Sequence, residues 1–187
     1  MRKLMFAAAM TVLAVASAAQ AGPAEDRKAA MAKFGFMRGV WAGPAWGFNP
    51  DGGKYSVRQT ERMGPMLGGD VVVVEGHGYK DDGSTGFNAL GIVSWDARAG
   101  KYEFRSYAQG YAGTFDIKPT DDGYVWEIPA GPVTLRYTAW VKDGHWREIG
   151  ERIVPGKPAM QIFEMNLTKV GDTDWPAGNP VPMTAGK

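Results

Sequence analysis

Arg105 and Tyr107 stand two residues apart in Arg105-Ser106-Tyr107, so in an extended chain a guanidinium and a phenol project from one face. A bidentate fork beside a hydroxyl donor is chemistry suited to a carboxylate. The alternative is an exterior face on which Arg105 pairs with Glu103. Arg136, Glu148, Arg152 and Glu164 alternate with apolar neighbours over three successive segments. On a shared face they would form a ladder of charge. Outside, such a ladder is solvated pairing of little energetic weight. Inside, its charges need compensation and make the interior polar. Trp140 shares the face of Arg136, and Trp146 that of Glu148, so aromatic rings lie beside the charges.

Histidine and cysteine offer less. The chain has two His, His77 and His145, and no Cys. No metal-ligand spacing is present, and no Gly-x-Ser-x-Gly, Ser-His-Asp or phosphate-cradling glycine motif appears. No residue is therefore assigned a catalytic role. Gly76 and Gly78 flank His77 and leave room for a planar group, and Tyr79 shares its face. His145 falls in an Asp143-Gly144-His145 turn and reads as surface.

The elements that must position these residues are strands. From Gly39 to Val170 the apolar period is two, and the expected strands are 39–48, 54–63, 70–79, 86–95, 101–108, 111–118, 123–129, 132–141, 145–154 and 159–169. Turn signals separate them, among them Asn49-Pro50-Asp51-Gly52-Gly53, Lys80-Asp81-Asp82-Gly83 and Asp121-Asp122-Gly123. Strands this closely spaced pair antiparallel, because a parallel pair needs a long crossover. Closure removes the two exposed edges of a long meander. The fold class is thus all-β, a single antiparallel up-and-down barrel of about ten strands. One helix is expected over 23–34, with Pro at its start, Glu25 and Asp26 in its first turn and Lys33 near its end. It suits a plug at one barrel end, or else a lid. Which face of each strand looks inward stays open at this level.

The N-terminus reads as an address. Arg2 and Lys3 precede an apolar stretch from Leu4 to Ala16, and Ala19-Gln20-Ala21 offers the small residues of a signal-peptidase site. The expected organisation is a signal peptide over 1–21, a barrel domain over 22–170 and a flexible C-terminal tail over 171–187. The expected location is periplasmic or secreted, with no transmembrane segment in the mature protein, since the apolar run is short for a span. The whole chain carries 21 basic and 20 acidic residues. Loss of Arg2 and Lys3 leaves the mature protein near neutral, which argues against nucleic-acid and anionic-lipid partners.

Gly39-Val40-Trp41, placed after the short helix and opening the first strand, resembles the Gly-x-Trp signature of the lipocalins and the wider calycin superfamily. The resemblance implies that Trp41 closes one barrel end and packs against a basic residue of the last strand, here Lys169. Phe87-Asn88-Ala89-Leu90-Gly91-Ile92, Trp95-Asp96, Leu135-Arg136-Tyr137-Thr138, Trp146-Arg147-Glu148-Ile149-Gly150-Glu151 and Phe163-Glu164-Met165-Asn166-Leu167 are similar to a bacterial calycin-like domain family of unknown function. That likeness implies a cavity and no established activity. The Arg105–Tyr107 pair resembles the Arg-x-Tyr pair of fatty-acid-binding proteins, where it lies in the last strand. Gly39-Val40-Trp41-Ala42-Gly43 is similar to the opening of the haem-binding nitrobindins, which would make His77 a candidate haem ligand. Pro44 and Ala45 break that pattern, and no His lies in the late strands.

These readings combine into an exported barrel that binds a small apolar or amphiphilic molecule as a carrier or scavenger, without catalysis and without a required cofactor. Trp126, Tyr137 and Trp146 would contact the apolar body, and Arg105 or Arg136 the polar head, with Tyr107, Glu148 and Glu164 nearby. The alternatives are a haem-linked protein or isomerase using His77, and a side-chain-filled barrel acting as an envelope interaction module.

Overall fold

Period-two alternation and turn chemistry set the architecture. The computed structural model describes residues 23–49 and 51–175. The signal-peptide reading of residues 1–21 and most of the expected C-terminal tail lie outside the described residues. Helix α1 (Pro23–Ala32) and a 3-10 turn (Gly35–Met37) precede ten strands: β1 (Gly39–Phe48), β2 (Lys54–Met66), β3 (Val71–Tyr79), β4 (Thr85–Asp96), β5 (Lys101–Ala108), β6 (Tyr111–Pro119), β7 (Gly123–Ala130), β8 (Val133–Lys142), β9 (His145–Ile153) and β10 (Met160–Gly171). Every strand pairs with its sequence neighbours, and β10 returns to β1, so the sheet closes. All these pairings are antiparallel. β2 runs to Met66 rather than ending at 63, because its last residues pair with Val71–Val73, the apolar start of β3.

Alternation decides which residues fill the barrel. In β1, Trp41 and Ala45 are buried while Pro44 and Phe48 are exposed. Pro44 has no N–H to give, and between Ala42↔Thr168 and Ala45↔Met165 neither Gly43 nor Pro44 has a β10 partner in the β1–β10 ladder, although the register is unchanged. In β10, Met165 and Leu167 are buried and Asn166 is exposed.

One end of the barrel is plugged. Ala30, Met31, Phe34, Met37 and Trp41 join a buried cluster with Tyr102, Trp146 and Leu167. The Tyr102 hydroxyl donates to the Ala30 carbonyl at 2.9 Å, and Phe34 meets the Tyr102 ring edge-on at 5.3 Å. The Trp41 indole N–H donates to the Met37 carbonyl at 2.9 Å, which holds the 3-10 turn against the barrel floor. Helix α1 is therefore a plug.

Lys169 stands opposite Trp41 in register, as the Gly-x-Trp likeness implied. Its ammonium, however, turns to Asp172 at 2.8 Å and stays partly exposed, since a charged head gains more from water and a carboxylate than from a buried ring. The ring packed edge-on against Trp41 is Trp146, at 5.8 Å. Past β10, the chain lies along β2 at the start of the expected tail: Thr173 is buried, and Asp174 pairs with Arg62 at 3.1 Å.

Candidate functional site

Above the plug the barrel encloses a cavity of about 410 Å³. Its upper wall is aromatic: Phe87, Phe104, Phe115, Trp126, Tyr137 and Phe163 all border it. Trp126 and Tyr137, opposite each other across β7 and β8, stack at 4.4 Å and 12°. Phe104 meets Trp126 edge-on at 5.0 Å, and Phe163 meets Tyr137 edge-on at 5.9 Å. Ala89, Gly91, Ala108, Ala112 and Gly113 also line it, and a Cβ at Gly91 or Gly113 would collide with the ring of Phe104 or of Phe115, so these glycines make room for the aromatic wall. Tyr111, 81 % exposed at the turn between β5 and β6, also borders the cavity, so it reaches the surface at the unplugged end.

The polar groups gather at the floor. Glu148 is 6 % exposed and accepts from the Tyr124 hydroxyl at 2.5 Å and the Trp126 indole N–H at 3.2 Å. Glu61, 7 % exposed, accepts from the Gln59 side-chain amide at 2.8 Å. Its carboxyl lies over the backbone of Gly76 on β3, where a Cβ would stand 2.7 Å from Oε1, so glycine is what gives that carboxyl its seat. The two carboxyls come from β2 and β9, which β1 and β10 separate. No Arg, Lys or His borders the cavity among the described residues.

Burial without a cation sets the protonation of this floor. Loss of hydration pushes Glu61 from 4.5 up to about 8; the Gln59 hydrogen bond opposes the shift, and the charges of Glu148 and Glu75 add to it. Burial also raises Glu148, against the two donors from Tyr124 and Trp126. The Tyr124 and Trp126 donors favour the ionised form of Glu148, whereas Glu61 keeps its proton at neutral pH. Burial and the Glu148 charge lift Tyr124 well above its usual range and Tyr137 to about 12, so both phenols stay neutral donors. The indole N–H of Trp146 is buried beside Tyr124, with the rings 6.3 Å apart, and its approach to the phenol opposes part of the upward shift of Tyr124.

The barrel divides the sequence-derived candidates between two faces. Trp126, Tyr137, Trp146 and Glu148 line the cavity. Arg105, Tyr107, Arg136, Glu164 and His77 do not, and the expectation that an arginine reaches the interior is corrected here. Ser106 takes the inward position, while Arg105 donates outside to Thr114 at 2.9 Å and to the Tyr107 hydroxyl at 3.4 Å. Arg136 pairs with Glu127 at 2.7 Å across β7 and β8. Glu164 accepts from Arg147 at 2.9 Å, Asn166 and Gln161, which holds its carboxyl below the usual range. The expected ladder is thus split by register: Glu148 stands opposite Ala139 and Met165, both buried, whereas Arg136 stands opposite Glu127 and Glu151. His77 also points outward, against the Tyr79 ring at 4.3 Å and tilted by 39°, and within 3.1 Å of the Thr85 hydroxyl, so it offers no ligand to the interior.

Glu61, Gln59, Tyr124 and Tyr55 are among the lining groups that sequence reasoning did not single out as site residues. A signal was there in β2. Lys54, Ser56, Arg58, Thr60 and Arg62 make one face wholly polar, so Tyr55, Val57, Gln59, Glu61 and Met63 had to face inward.

No family model matches the chain, and no curated protein matches it either. Among solved structures it is similar to the crystal structure of Rv2717c from M. tuberculosis, with a TM-score of 0.56 and 15% sequence identity, over 75% of this chain and 96% of that one. At that identity the likeness establishes the shared barrel fold alone.

One seam in the wall is thin. β6 and β7 pair only over 117–119 with 124–126, while the residues of β6 nearer the open end keep their pairing to β5 and those of β7 keep theirs to β8. Gly113, Phe115 and Ile128 border both this slit and the cavity.

Proposed function

We propose that the protein binds a small amphiphilic molecule inside the barrel and carries or sequesters it without bond chemistry. The observation that supports this most is the aromatic cavity of about 410 Å³, within the range of sites for small organic ligands. A barrel stabilised only by its own core would gain from filling that space, since packed interiors leave few voids larger than a water. The stacked Trp126–Tyr137 pair and the edge-on Phe104 and Phe163 make a flat slot for an apolar body. The polar end of the ligand would lie at the floor on Glu61 and Glu148, and not on Arg105 or Arg136. We further propose that the protein works outside the cytoplasm, after loss of residues 1–21, and that its barrel is of the calycin kind.

Titration with the neutral fluorophore N-phenyl-1-naphthylamine tests the reading. Saturable enhancement is expected for the purified protein. It should vanish in Ala108→Trp, whose indole would occupy the cavity, while the circular dichroism of the barrel is retained. No saturable signal, together with no small molecule co-purifying in native mass spectrometry, would overturn the proposal.

A further inference from the structure

We infer that the molecule held in the barrel carries a cationic nitrogen head, an amine or quaternary ammonium on an aromatic or alkyl body, seated on Glu148 and Glu61 at the plugged end. The inference rests on the internal-ligand reading above and specifies its chemistry. Three observations carry it.

The first is the sign of the floor. Two buried carboxyls meet there and no Arg, Lys or His borders the cavity among the described residues. A carboxylate or sulfonate head would bring a further negative charge against them in a poorly solvated space, whereas a cation would supply the missing counter-charge. The second is free acceptor capacity. A carboxylate offers about four lone-pair positions. The hydrogen bonds from Tyr124 and Trp126 occupy one on each Glu148 oxygen and also fix the group in place. The third is the aromatic surround. Tyr124 and Trp126 bond to Glu148 directly, Tyr137 and Trp146 line the cavity with them, and aromatic walls favour a desolvated cation over an anion.

The floor is thus built for a head with a cationic donor. This is the reverse of the arginine-held carboxylate that Arg105 and Tyr107 suggest when read from sequence.

Isothermal titration calorimetry at pH 7 with three probes of matched body tests the inference: 4-butylbenzylamine, 4-butylbenzyl alcohol and 4-butylbenzoate. The amine is expected to bind at least about tenfold more tightly than the alcohol, as a hydrogen bond to a buried charge predicts, and the benzoate weakest of the three. Glu148→Gln keeps an acceptor oxygen for the Trp126 N–H, turns the Tyr124 contact around so that the amide donates to the phenol oxygen, and removes the charge. It should bring the amine down to the affinity of the alcohol and leave the alcohol itself within about twofold. An alcohol that binds as well as the amine, a benzoate that binds best, or an amine preference that survives Glu148→Gln would overturn the inference while leaving the internal site standing. Failure of all three probes would overturn the internal-ligand reading as well. Should Glu148→Gln not fold, the order of the three probes on the unaltered protein decides.

Discussion

At the residue scale, the barrel floor is an acid pair whose protons are tied to folding. Glu61 is raised from 4.5 to about 8 in the folded protein, so between those values the native state binds a proton that the unfolded chain has released. Stability contributed this way is fully present below about pH 4.5 and is lost as pH rises through about 8. Urea melts should therefore show the protein weakening from pH 5 to pH 8.5, and Glu61→Gln should flatten that slope. A permanently charged probe gives the complementary sign. Binding of 4-butylbenzyltrimethylammonium favours the ionised form of Glu61, so its affinity should rise as pH passes about 8, and Glu61→Gln should abolish the rise. Glu148, Tyr124, Gln59 and Glu75 are the other polar groups bearing on this titration, and the phenol stays neutral throughout the range. Trp41 is a purely structural case. It is 2 % exposed, hydrogen-bonded to Met37 and packed on Trp146, so Trp41→Ala should cost about 3–5 kcal/mol in denaturant unfolding.

At the element scale, the strands and turns were legible because both are local properties. Ten runs of period two between Gly- and Asp-rich turns predicted the strand order, and the observed ends differ by a few residues at most. The face each strand turns inward was legible only where one face is plainly polar, as in β2. It was not legible in β8 and β9. There Arg136 shares its face with Thr138 and Trp140, and Glu148 shares its own with Trp146, so aromatic and charged residues occupy the same side of each strand. The thin β6–β7 seam follows from pairing, and it carries its own expectation. The N–H groups of β6 between 111 and 116 that point away from β5 lack strand partners from β7. In hydrogen exchange they should exchange faster than the amides of β1, which is paired on both sides. Equal protection along both strands would mean that the seam is closed in solution.

At the scale of the whole molecule, closure is what turns an ordinary meander into a site. The proposed export is tested by intact mass: protein recovered from the cells that make it should correspond to a chain beginning at Gly22. The class of the fold, the order of its strands and the short helix before them were legible from the chain alone, because alternation, turn residues and helix-end charges act over a few residues; whether that helix is plug or lid was not. The chain also marked Trp126, Tyr137, Trp146 and Glu148 as worth watching. That Arg105, Arg136, Glu164 and His77 face outward emerged only with the closed barrel, since a shift of one residue in register exchanges the two faces of a strand. Only the closed barrel brought Glu61 to Glu148, across two intervening strands and more than eighty residues of chain. No local pattern announces such a pair. The cost of burying two carboxyls, and the chemistry that follows from it, exists only once the last strand has met the first.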